Sequence, residues 1–148
     1  MKQTWIFVGV ILGVGLLTLV LLLVFQDSSN PYEDDSDFTT MPSGVKYKDL
    51  RVGTGKEVVV GDHISVHYTG TLRNGKVFDS SRWGNKAFEL RLDNSEVIRG
   101  WVEGIAGMKA GGRRILIIPP QLGYGAKQTG EIPANAVLYF DVEVLKVN

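Results

Sequence analysis

Few side chains in this chain of 148 residues are equipped for covalent or metal chemistry. It has no Cys and two His, so disulfides and a thiolate nucleophile are excluded, and a metal centre would rest on carboxylates and imidazoles alone. The imidazoles, His63 and His67, lie four positions apart in the alternating stretch HISVHY. A strand rises about 3.3 Å per residue, which sets them roughly 13 Å apart, too far for one compact centre. They read as polar residues on the exposed face of a strand. More demanding is SEVIRGWVEGIAGMKAGG, residues 95–112, in which Val97, Trp101, Ile105 and Met108 recur at helical spacing with Gly100, Gly104 and Gly107 among them. Each Gly costs a helix interior about 1 kcal/mol relative to Ala. Glycines remove bulk and let a helix backbone approach a neighbouring layer, while the indole supplies flat apolar surface between them.

The elements that must hold this helix are strands. Ile64, Val66 and Tyr68 alternate with His63, Ser65 and His67, which gives one buried and one polar face. Asn74-Gly75, between TLR and KVFDS, predicts a hairpin closed by a tight primed turn. Phe88, Leu90 and Leu92 alternate next, and Arg114 to Ile118 forms a strand stopped by Pro119-Pro120, with Arg113-Arg114 as its solvated start. In AVLYFDVEVLKV, Leu138, Phe140, Val142 and Val144 face one way and Tyr139, Asp141 and Glu143 the other. An antiparallel sheet of about five strands with one short helix, Ser95 to Met108, over its apolar face is an α+β plan.

Sixteen basic residues balance sixteen acidic ones, so the chain lacks the electrostatic footprint of a nucleic-acid binder. Residues 5–25, WIFVGVILGVGLLTLVLLLVF, carry no charge and are long enough as a helix to cross a hydrocarbon core of roughly 30 Å. A transmembrane anchor is expected there. The rival is a cleaved signal peptide, whose apolar region is typically only about 7–15 residues and ends at small residues. Lys2 precedes the span and no basic residue follows until Lys46, which places the amino terminus, 1–4, in the cytoplasm and the rest outside it, in a periplasm or equivalent. Residues 26–43 are polar and acidic, and read as a flexible linker to a folded unit at 44–148.

Three motifs in order, VHYTGTLRNGKVFDSS, EVIRGWVEGI and LYFDVEVL, closely resemble the FKBP-type peptidyl-prolyl cis-trans isomerases. The resemblance runs from about Val45 to the C-terminus. It implies a half-open, strongly twisted antiparallel sheet wrapped around one helix, with an apolar pocket between them. The matching Trp101 would floor that pocket under a substrate prolyl ring. Tyr68, Phe78, Asp79, Phe88, Val97, Ile98, Tyr124, Ile132 and Phe140 would form its walls. Tyr124 and the Ile98 N–H match groups that donate to bound carbonyls, and Tyr68 and Asp79 match residues of the catalytic wall. The implied partners are proline-containing polypeptides and macrolides of the immunosuppressant type, bound by a monomer without a cofactor. Two other readings share the pocket: a proline-loop or macrolide binding module in which turnover is incidental, and a membrane-tethered chaperone. The latter lacks the inserted flap that such relatives carry between Leu122 and Pro133. Gly84 stands where some relatives have an Arg that buttresses the Asp, with Arg82 nearby as a substitute, and Trp83 precedes it.

Overall fold

The computed structural model describes residues 34–148. The expected span at 5–25 and the first part of the expected linker lie outside the described residues, and among those described no helix is long and apolar enough to cross a membrane. In chain order the elements are β1 (Thr39–Thr40), β2 (Lys46–Arg51), β3 (His63–Thr71), β4 (Val77–Ser80), β5 (Phe88–Arg91), α1 (Arg99–Ile105), β6 (Arg113–Ile118), a 3₁₀ turn at Pro120–Leu122 and β7 (Leu138–Val147). The strands form one antiparallel sheet in the order β1-β2-β6-β7-β3-β4, with β5 also on β3.

The two long strands organise everything else. β3 and β7 pair from Ile64 opposite Val147 to Thr71 opposite Tyr139, so the free edge of β3 is left to two short strands. β5 takes the first half of that edge, His63 to Val66, and β4 the second, Thr69 to Thr71. Between them His67 and Tyr68, paired with β7 on their other side, have no strand on this edge, because the chain linking β4 to β5 leaves the sheet there. The alternation in β7 holds on the core side, where Leu138, Phe140, Val142 and Val144 are buried. Tyr139 is buried as well, because β7 lies between β3 and β6.

The sheet has seven strands where about five were expected. The additional ones are β1 and β2. The sequence of β2, KYKDLR, has Tyr47 as its only aromatic residue, and its charges hide the pattern. Tyr47 and Asp49 turn toward Arg114, while Lys46 and Lys48 pair with Asp35 and Asp37. Lys48 also lies 5.9 Å from the centre of the Phe38 ring. The last part of the expected linker therefore lies against the sheet, with Met41 packed on the core.

The helix is shorter than its expected range of 95–108. The Asp93 carboxylate accepts from the Ser95 N–H at 2.9 Å and the Asp93 carbonyl from the Val97 N–H at 3.2 Å, so a side-chain turn occupies the first expected turn of helix. Ala106 leaves helical geometry and Gly107 follows at φ 84°, a left-handed ending that favours glycine. Gly100 and Gly104 have the close-approach role expected. A Cβ on them would sit 2.4 Å from Ile118 Cγ2 and 2.7 Å from Leu116 Cδ2, so the helix rests directly on β6. At the hairpin, the Gly75 N–H donates to the Leu72 carbonyl at 2.9 Å and Gly75 has φ 80°, while Asn74 is not left-handed. The turn is thus an ordinary one followed by a left-handed glycine, rather than the tight primed turn expected, and it puts an irregularity at Gly70/Thr71.

Arg114 also departs from expectation. It is 8% exposed and not solvated. Its guanidinium donates to both Asp49 carboxylate oxygens, at 2.7 and 3.0 Å, and to the Gly104 carbonyl at 3.0 Å, and it stacks 4.3 Å from the Tyr47 ring centre. A planar fork with fixed donors suits this linkage between sheet and helix end.

Candidate active site

Between the helix N-terminus and the sheet lies a cleft of about 540 Å³, within the range of small-ligand sites. Trp101, on the first turn of α1, is 4% exposed and lines it. Its ring meets Tyr68 and Phe140 edge to face, with centroids 5.1 and 5.3 Å away, and Phe88 at 6.3 Å. Phe78 stands against Phe140 at 5.6 Å. These rings come from α1, β3, β4, β5 and β7, the elements whose registers the long strands fix. Phe78 and Phe140 also cover Gly70, where a Cβ would sit 2.6 Å from the Phe78 ring and 2.8 Å from that of Phe140. Sequence reasoning passed over this position; a glycine inside a strand is a signal of such close approach.

Of the residues expected in the pocket, Tyr68, Phe78, Asp79, Phe88, Val97, Ile98, Trp101, Tyr124 and Phe140 all line the cleft. Ile132 does not. It is buried in the core, at the bridge between Thr129 and Ile132. Asn94, Ser95, Glu96, Arg99 and Gly123 complete the lining and were not anticipated. They flank motif residues on the turn before α1 and after the 3₁₀ turn, where periodicity carries no signal.

The polar groups are few and oriented. The Tyr68 hydroxyl donates to Asp79 Oδ2 at 2.5 Å. Burial, then the hydrogen bond to Asp79 and its charge, raise the Tyr68 phenol well above the ordinary value. Burial and the Asp79 charge also raise Tyr124. Both are therefore neutral donors at pH 7. Ile98 precedes the helix at φ −61°, ψ 150°, and its N–H donates to no acceptor among the described residues. Arg82 does not buttress Asp79. It lies 3.7 Å from Glu143 instead. The indole Nε1–H is buried without an acceptor, a cost of about 1–3 kcal/mol that an ordinary core position would shed.

Comparison with known proteins agrees with this geometry. A family model for FKBP-type peptidyl-prolyl cis-trans isomerase matches residues 55–145. The chain is 50% identical over 105 residues to the FK506-binding protein of Neisseria meningitidis serogroup B, covering 70% of this chain and 96% of that one. It is 46% identical over 104 residues to FK506-binding protein 4 of Chaetomium thermophilum, of which it spans only 21%. Among solved structures, AtFKBP13 superposes with a TM-score of 0.70 at 42% identity, covering 75% of this chain and 98% of that one. FkpA from Escherichia coli does so at 0.73 and 38%, covering 79% and 54%. The fold is shared with these structures, and the chain belongs to the FKBP-type peptidyl-prolyl cis-trans isomerase family.

Proposed function

We propose that this protein is a membrane-tethered, monomeric isomerase that accelerates rotation about X-Pro bonds in polypeptides folding outside the cytoplasm, with residues 5–25 as its anchor. The observation that carries the catalytic reading is the indole of Trp101 lining an open aromatic cleft while its own N–H goes unpaired. A prolyl ring seats on that surface with Phe78, Phe88 and Phe140 around it. Tyr124 and the Ile98 N–H donate to the flanking carbonyls, and Tyr68, held by Asp79, fixes the wall.

The reaction asks little else of the site. Rotation costs about 18–20 kcal/mol because the planar amide loses its partial double bond, and takes tens to hundreds of seconds unaided. The twisted amide is less charge-separated than the planar one, so a dry aromatic hollow favours it. A ten-thousandfold acceleration requires only about 5.5 kcal/mol, supplied by ring positioning and donors fixed in advance. No nucleophile or cofactor enters. The same surfaces accommodate macrolides of the immunosuppressant type.

The tether rests on the uncharged stretch at 5–25 with Lys2 before it, read by the positive-inside rule. Refolding of a protein whose slow phase is prolyl isomerisation tests the activity: the chain is expected to speed that phase alone. Protease added to intact cells with a permeabilised outer layer tests the placement. Cleavage of the domain supports it; protection until the cytoplasm is opened contradicts it.

A further inference from the structure

Across the ring wall from the cleft lies a second hollow of about 390 Å³, lined by Tyr68, Ser81, Lys86, Ala87, Phe88 and Glu89. Tyr68 and Phe88 line both spaces. The two therefore form one surface interrupted by a pair of rings whose centroids are 5.7 Å apart. The hollow exists because β4 and β5 divide one edge of β3, so that the chain between them, 81–87, must swing out of the sheet. Ser81 fixes where it leaves: its Oγ accepts from the Tyr68 N–H at 2.9 Å and lies 3.0 Å from His67 Nδ1, and its N–H donates to the Tyr68 carbonyl at 3.1 Å. A turn follows, with the Asn85 N–H donating to the Arg82 carbonyl at 3.2 Å and Asn85 held at φ 47°. At its tip Trp83 is 69% exposed.

We propose that this hollow is an extension subsite, which takes the stretch of unfolded polypeptide continuing from the prolyl residue seated over Trp101; the inference rests on the isomerase reading above. An extended chain advances about 3.3–3.6 Å per residue, so two residues carry it over the Tyr68 and Phe88 rings. Beyond them it meets Lys86 and Glu89, whose side chains have no partner among the described residues. An extended backbone presents carbonyls and N–H groups in turn, which an ammonium and a carboxylate can answer respectively. Ala87 leaves room for an apolar side chain, and Trp83 on the same loop offers it a flat surface. The protein then prefers proline within a longer unfolded segment to proline in a short peptide.

The test uses the full chain in detergent micelles and three substrates: a proline-containing tetrapeptide and the same peptide lengthened by four residues on its amino or on its carboxyl side. Lengthening on one side is expected to raise kcat/KM about tenfold, the worth of about 55 Å² of apolar contact at about 25 cal/mol per Å². Trp83→Ala and Ala87→Trp, both on the exposed loop, are expected to abolish that gain through KM and to leave tetrapeptide turnover unchanged. No gain from either extension, or an equal loss for short and long peptides in both variants, overturns the subsite. A chain that turns over none of the three overturns the isomerase reading and the subsite with it.

Discussion

Gly100→Ala tests how the helix is seated. On an exposed helix this change gains about 1 kcal/mol of propensity. Here the new Cβ would lie 2.4 Å from Ile118 Cγ2, 2.8 Å from its Cδ1 and 2.9 Å from its Cγ1. Carbon atoms pack at about 3.5–4.0 Å, so α1 and β6 must part by roughly 1 Å. Overpacking of that kind costs about 1–3 kcal/mol. With all three contacts under 3.0 Å the cost falls in the upper part of that range, about 2–3 kcal/mol; after the gain in propensity a net loss of about 1–2 kcal/mol remains, which lowers the melting temperature of a domain this size by roughly 5–12 °C. Because Trp101 is the next residue, parting the layers also tilts the floor of the cleft, and isomerase activity is expected to fall with stability. Adding Ile118→Ala removes all three clashing atoms. The double variant should lose less than the sum of the single losses, by about 1 kcal/mol or more. The measurements are thermal melts of the four proteins by near-ultraviolet circular dichroism. An unchanged or higher melting temperature for Gly100→Ala, or strict additivity with Ile118→Ala, refutes the seating described here.

Tyr68→Phe and Asp79→Asn are expected to lower turnover severalfold while changing stability by under about 1 kcal/mol, since the first removes one hydrogen bond to an exposed carboxylate and the second leaves it a neutral, weaker acceptor; urea titrations beside peptide kinetics check both halves. Because the folded state raises the Tyr68 phenol, its contribution to stability is complete below the ordinary phenol value of about 10 and is lost as pH rises beyond it. Denaturation midpoints should therefore decline in that alkaline window less steeply in Tyr68→Phe than in the unmodified protein. Arg114→Met removes the fork shared by Asp49 and the Gly104 carbonyl. It should cost about 2 kcal/mol, less than the roughly 3–5 kcal/mol of a fully buried pair because Asp49 remains in contact with water; urea denaturation reads it. Asp35→Asn combined with Asp37→Asn should cost under about 1 kcal/mol and show its largest effect at low salt, as exposed ion pairs do, which a salt series of melting temperatures checks.

The sequence was legible where one side of an element meets one environment. Leu138, Phe140, Val142 and Val144 alternate because the core side of β7 is uniformly apolar, and Gly100 and Gly104 announce a close approach because nothing else justifies them inside a helix. It was illegible where a contact depends on a distant partner. KYKDLR hides a strand because Lys46 and Lys48 are matched by Asp35 and Asp37, and Arg114 is buried only because Asp49, Tyr47 and the end of α1 converge on it. The motif aromatics of the cleft were anticipated through the family resemblance, and nine of the ten expected residues line it. Ile132 was misplaced because a motif gives order along the chain and not the direction of a side chain. Gly70 was missed because its role is to be absent beneath two rings that meet only in the folded sheet.

The most direct measurement is the rate at which the cis and trans forms of a short X-Pro peptide interconvert, followed by exchange spectroscopy with the full chain at substoichiometric concentration. The account requires saturable acceleration by the unmodified protein, and a loss of at least about tenfold, roughly 1.4 kcal/mol of transition-state stabilisation, in a folded Trp101→Leu variant. Interconversion at the uncatalysed rate, or an undiminished rate in Trp101→Leu, would contradict it.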